Sequence, residues 1–74
     1  MANRLYKDYL LVSFPKFDEV KRKWLVQVTI SWREQDHFTF HRINPPRGFE
    51  NDIEAVEKGF SLGRFWVDQK SLGS

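Results

Sequence analysis

The sequence predicts an α+β domain in which a three-stranded antiparallel meander is followed by one C-terminal helix packed on one of its faces, β-β-β-α. Three observations carry that reading. Phe49, Ile53, Val56, Phe60, Gly63 and Val67 recur at alternating steps of four and three, the seam of an amphipathic helix. Trp24, Val26, Val28, Ile30 and Trp32 alternate with Leu25, Gln27, Thr29, Ser31 and Arg33, the period of a half-buried strand. Two prolines, Pro45 and Pro46, separate the strand region from the helix.

Taken in order, Met1 to Lys7 is polar and is expected to be loose. Tyr9 to Phe14 is an apolar run closed by Pro15, which predicts a strand that stops where the ladder loses a donor. Lys16 to Arg22 is expected as a charged loop or wide hairpin connection, with Phe17 as its large apolar residue. The Trp24 to Arg33 strand belongs at the centre of the sheet. Arg33 to Asp36 contains no Gly, which suggests a four-residue loop built on a type I turn rather than a tight primed turn. His37 to Ile43 alternates again, with Phe38 and Phe40 on one side and His37, Thr39 and His41 on the other.

The helix, expected over residues 49 to 70, is marked at both ends. Asn51 is the N-cap candidate with Glu54 three residues on. Glu50, Asp52, Glu54 and Glu57 complement the positive end of the macrodipole, Arg64 and Lys70 the negative end, and Gly73 is placed to stop the last turn. The expected core is Trp24, Val26, Val28, Ile30, Phe38 and Phe40, part of strand one, and Ile53, Val56, Phe60 and Val67. One helix shields one face of such a sheet, so the other is solvated or occupied by a partner. Gln27, Thr29, Ser31, Arg33, His37, Thr39 and His41 are expected there, with Leu25, Leu11 and Tyr9 at one end.

Composition narrows the function classes. A chain of 74 residues makes a single domain, 1–74, whose small core is served by three Trp, seven Phe and two Tyr. The absence of Cys excludes disulfides, thiolate metal sites and cysteine nucleophiles. No apolar run suggests a signal peptide or a membrane span, so a cytoplasmic protein without a membrane partner is expected. The net charge of +2 divides into +4 over residues 1–48 and −2 over residues 49–74. Such a division either orients a polyanion toward the first part or is the mixed surface of an ordinary soluble domain.

Candidate chemistry is sparse. His37 and His41 would share a metal on a helix, but in a strand four residues span about 13 Å, so no metal site is assigned. The carboxylates Asp18, Glu19, Glu34 and Asp36 lie in loops and turns without apolar flanks, and no Ser lies in a nucleophile motif. No catalytic residue, cofactor or small-molecule substrate is inferred. Phosphate at the helix N-terminus is disfavoured by its four acidic residues. Gly59 and Gly63, each costing about 1 kcal/mol relative to Ala inside a helix, require compensation. Close approach to Trp24 or Trp32, or contact with a helix of another chain, would supply it. Phe65 falls outside the apolar seam, beside Trp66.

Two resemblances follow from these residues. The whole chain resembles a group of small uncharacterised bacterial proteins of similar length, in which an aromatic-rich meander precedes a helix ending in a pattern like Leu62-Gly63-Arg64-Phe65-Trp66-Val67-Asp68. It implies the fold and no activity. The β-β-β-α order with Phe49 to Ala55 as a Phe-x-x-x-x-Glu-Ala helix start is similar to the DNA-binding domains of phage integrase arms and plant ethylene-response factors. Those domains read the major groove with Arg, Lys and Trp on the uncovered sheet face. This chain departs from that pattern, since Arg33 is the cation expected centrally, with Arg22, Lys23 and Arg42 at the rim.

The expected function is that of a small non-enzymatic module that binds a protein or a second copy of itself through the uncovered sheet face or edge. Tyr9, Leu11, Phe65 and Trp66 are the candidate interface residues. The alternative is a nucleic-acid-binding domain using Arg22, Lys23, Gln27, Thr29, Arg33, His37, His41 and Arg42.

Overall fold

The computed structural model describes residues 2–72, so Gly73, the expected helix stop, lies outside the described residues. The fold is α+β, but its sheet has four strands rather than three. They are β1 (Ala2–Tyr6), β2 (Tyr9–Asp18), β3 (Lys23–Glu34) and β4 (His37–Ile43), antiparallel in the order β1-β2-β3-β4, followed by α1 (Asp52–Leu72).

The strand absent from the sequence reading is β1. It is joined to β2 by the two-residue turn Lys7-Asp8, closed by the Tyr6–Tyr9 pair. Both turn residues have positive φ, 49° and 68°, as a type I′ turn requires, although neither is Gly or Asn. The β3–β4 connection is equally tight. Glu34 pairs with His37 around Gln35-Asp36, and Gln35 takes φ 56°. The expected four-residue loop is thus replaced by a primed turn of the kind that matches strand twist.

Strand β2 also runs through Pro15, which pairs in register with Val26, and continues to Asp18. Ladder bonds alternate between the two sides of a strand. Counting from Tyr9, the donor that Pro15 lacks would point past Ala2, the last described residue paired to β2 on that side. The proline therefore sits on an open edge, where it costs no bond. Four residues, Glu19 to Arg22, connect β2 to β3, and Asp18 Oδ1 accepts from the Val20 and Lys21 N–H groups. Pro45 and Pro46 lie in the segment that leaves β4, and the chain rejoins β3 where Trp24 and Phe49 exchange two 2.8 Å backbone bonds.

The start of α1 is as expected. Asn51 Oδ1 accepts from the Glu54 N–H at 2.8 Å, satisfying one of the donors that the first turn leaves free. The buried stripe is Ala55, Gly59, Phe60, Gly63 and Val67: it keeps Phe60, Gly63 and Val67 of the expected seam but is turned toward the Ala55 and Gly59 side, the side on which those residues were expected to widen it, and Ile53 is left 73% exposed. Small residues set this rotation. A Cβ on Gly59 would stand 2.1 Å from Ser13 Oγ and 2.8 Å from a Val26 methyl, so the helix crosses β2 and β3 there at backbone contact. Ser13, fully buried, donates to the Val56 carbonyl at 2.8 Å. The glycines are compensated by close approach, but over Ser13, Val26, Leu11 and Val28 rather than over a tryptophan. Leu11, Val28, Ile30, Phe60 and Val67 fill the rest of the core.

Gly59→Ala should therefore destabilise by at least about 2 kcal/mol despite the better helix propensity of Ala. At Gly63 a Cβ meets only Leu11 methyls at 3.2 and 3.3 Å, so Gly63→Ala should be far milder. Urea unfolding of the two variants checks this, and equal effects would contradict the close crossing.

Candidate functional site

Strand parity decides which residues face the helix and which do not. With Trp32 opposite Thr39 and Ile30 opposite His41, the helix-facing residues of β4 are His37, Thr39, His41 and Ile43. Phe38 and Phe40 point to the uncovered side, 75% and 65% exposed, which removes both from the expected core. His37, Thr39 and His41 likewise move from the uncovered face to the helix side, and so do Tyr9 and Leu11.

The uncovered face is consequently far more apolar than expected. One row across the sheet reads Leu5, Leu10, Ser31, Phe40, and the next Asn3, Val12, Thr29, Arg42. Arg33 and Phe38 pair beyond the first row; Phe14 with Gln27, and then Lys16 with Leu25, continue past the second. A contiguous surface of this kind, unlike a single exposed Leu or Phe, is a candidate contact face. At one end it deepens into a groove of about 850 Å³ between Phe14, Lys16, Leu25 and Gln27 on the floor and Asn44, Pro45 and Pro46 on the wall.

Charge is distributed just as unevenly. Among the described residues the ion pairs are Arg4–Glu57 at 2.9 Å, Lys7–Asp68 at 2.7 Å and Lys23–Glu50, and each joins the strand region to α1 or the residue pairs before it. Arg4 also lies over the Phe60 ring at 4.2 Å. Lys16, Arg33 and Arg42 have no ion-pair partner among the described residues. Arg33 reaches only the Gln35 carbonyl, at 3.4 Å.

The sequence-derived candidates separate accordingly. Gln27, Thr29, Arg33 and Arg42 do share the uncovered face. Arg22 sits in the β2–β3 turn with φ 54°, and Lys23 is committed to Glu50. His41 stacks on Trp66 at 4.8 Å with the rings 13° apart, in a cluster with Tyr9, Trp32 and Lys70. Leu11 is wholly buried and Tyr9 half-buried, so neither presents an interface; Trp66 is half-buried in the cluster, while Phe65 is 63% exposed. Leu5, Leu10, Phe14, Lys16, Phe38 and Phe40 are the residues of this candidate face that sequence reasoning missed. Parity could have found the two β4 rings, because a hairpin connection of two residues or of four places Phe38 opposite to Trp32 in facing. Among the described residues, no group of three His, Asp or Glu could hold a metal ion, and no helix is long and apolar enough to cross a membrane. Compared with known proteins, the chain matches no family model, no curated protein and no solved structure.

On the helix side, the Lys7–Asp68 pair links stability to pH. Hydrogen bonds from Lys7 and from the Tyr6 hydroxyl, the latter at 2.9 and 3.1 Å, hold the Asp68 carboxyl below its ordinary value of 3.8. The Asp68 hydrogen bond and charge raise Lys7 above its ordinary 10.5. A depressed folded-state carboxyl contributes stability above its unfolded value and loses it as pH falls through the folded one. The raised lysine contributes below its unfolded value and loses it as pH rises through the folded one. Asp68→Asn should therefore be less stable than the parent between about pH 5 and pH 9, with the gap closing toward about pH 2 in urea titrations. A gap as large at about pH 2 as at about pH 7 would contradict the pairing.

Proposed function

We propose that this protein is a small non-enzymatic binding module that engages a macromolecular partner through the uncovered face of its sheet. The observation that carries the reading is the contrast between the two faces. On the helix side, apolar residues are packed and the ion pairs are made; on the other, large apolar side chains and three unpaired cations stand together in solvent. Among the described residues Lys16 is the only titratable one lining the groove, which suits binding rather than acid–base turnover.

The row from Leu5 to Phe40 gives this face the large aliphatic and aromatic area that a macromolecular contact uses. A second copy of this chain, packed face to face, is disfavoured by charge. Between Leu25 and Phe38 the uncovered strand positions carry cations and no carboxylate, so a twin face would bring like charges together without counter-charges. Asp18, at the far hairpin, is occupied by backbone N–H groups.

If the face serves contact rather than stability, the double variant Phe38→Ser, Phe40→Ser should unfold in urea within about 0.5 kcal/mol of the parent. Leu11→Ala, by comparison, should cost about 2 to 5 kcal/mol. A double variant that loses as much as Leu11→Ala would show that both rings belong to a core, and the reading would fall.

A further inference from the structure

We infer that the occupant of the uncovered face is single-stranded nucleic acid, a deepening that rests on the binding-module reading above. Three independent features of the same surface converge on that chemistry. Phe38 and Phe40 are two residues apart on β4, about 7 Å, and both project from the sheet with most of their surface free. Rings in that arrangement offer stacking platforms to successive unpaired bases, whose π-faces a duplex keeps buried in its own stack.

The cations flank the rings. Arg33 pairs across the ladder with Phe38, and Arg42 follows Phe40 by two positions on the same strand, so each ring has a guanidinium within one strand step. No carboxylate competes for either guanidinium among the described residues. Phosphates alternating with stacked bases meet this alternation of ring and cation; an apolar peptide would leave the guanidiniums unsatisfied.

The groove supplies the third feature. Its lining is apolar at Phe14, Leu25 and Pro46, while Gln27, Thr29 and Asn44 place amide and hydroxyl groups along it and Lys16 stands beside them. Amides both donate and accept, so such a groove can bond the exposed edge of an unstacked base while the ammonium holds its phosphate. The strand would run from the Phe38 and Phe40 rings, past Arg42, into the groove beside Pro45-Pro46.

Fluorescence anisotropy tests this with labelled mixed-sequence single-stranded DNA and RNA and with the corresponding DNA duplex, each at two salt concentrations. The single strands should bind at least tenfold tighter than the duplex. Phe38→Ser or Phe40→Ser should weaken that binding roughly five- to a hundredfold. Arg33→Gln or Arg42→Gln should weaken it and flatten the plot of log affinity against log salt by about 0.7 per cation removed. Several results would overturn the assignment: no binding at the lower salt; equal duplex binding unaffected by the phenylalanine variants; or displacement by polyglutamate at matched charge, which would indicate an acidic protein partner. Concentration-dependent sedimentation of the protein alone, abolished by the double phenylalanine variant, would instead assign the face to a second copy. Absence of nucleic-acid binding with the double variant still stable would remove this inference and leave the binding-module reading standing. A destabilised double variant would remove both.

Discussion

The contact between Gly59 and Ser13 fixes the rest of the structure. Backbone is pressed against a short side chain at that point, and the Ser13 hydroxyl is tied to the Val56 carbonyl of the same helix. A helix drawn in so closely must present its smallest residues to β2 and β3, which is why Ala55, Gly59 and Gly63 are buried and Ile53 is not. Phe60 and Val67 then drop beside Leu11 and Ile30, and Trp66 meets Trp32 of β3 and His41 of β4. Two glycines that weaken the isolated helix thus provide the docking that the folded state depends on.

That docking is one-sided, and the two faces have been equipped differently. Exposed ion pairs such as Arg4–Glu57 contribute little energy singly, with both partners about half exposed. Their consequence is spatial. Carboxylates from and near the helix pair with Arg4, Lys7 and Lys23, whereas the cations of the uncovered face, Lys16, Arg33 and Arg42, have no ion-pair partner among the described residues. The division seen in composition, basic strands and an acidic helix, becomes in the fold a helix side that holds the ion pairs and a basic, aromatic sheet side. A face of that composition disfavours self-packing through like-charge repulsion and, on the reading proposed above, suits a polyanion with apolar bases.

Much of the fold was legible in the chain. The long periodic helix, its Asn51 cap and the central β3 strand were read from local signals that agree with the tertiary structure. The failures have particular causes. Strand β1 is a polar edge strand, and its exposed, mixed residues carry little apolar alternation. Lys7, Asp8 and Gln35 adopt positive φ without the Gly or Asn that advertises a primed turn. Pro15 reads as a strand terminator only if its ladder neighbour is unknown, since on an open edge it is harmless. The costliest miss was in facing: Phe38 and Phe40 were assigned inward on hydrophobicity, whereas side-chain parity through a two-residue turn sends them outward. That single change turns a polar surface into an aromatic one, and with it most of the candidate site.

The central claim is that the helix lies against Ser13 and Val26 and that the rings of Phe38 and Phe40 stand on the opposite face. Proton–proton NOE spectroscopy on the isotope-labelled chain addresses it directly. The account predicts cross-peaks from the Gly59 Hα protons to Ser13 Hβ and the Val26 methyls, and none between either phenylalanine ring and any residue of α1. Cross-peaks from the Phe38 or Phe40 ring to Phe60 or Val67 would contradict it.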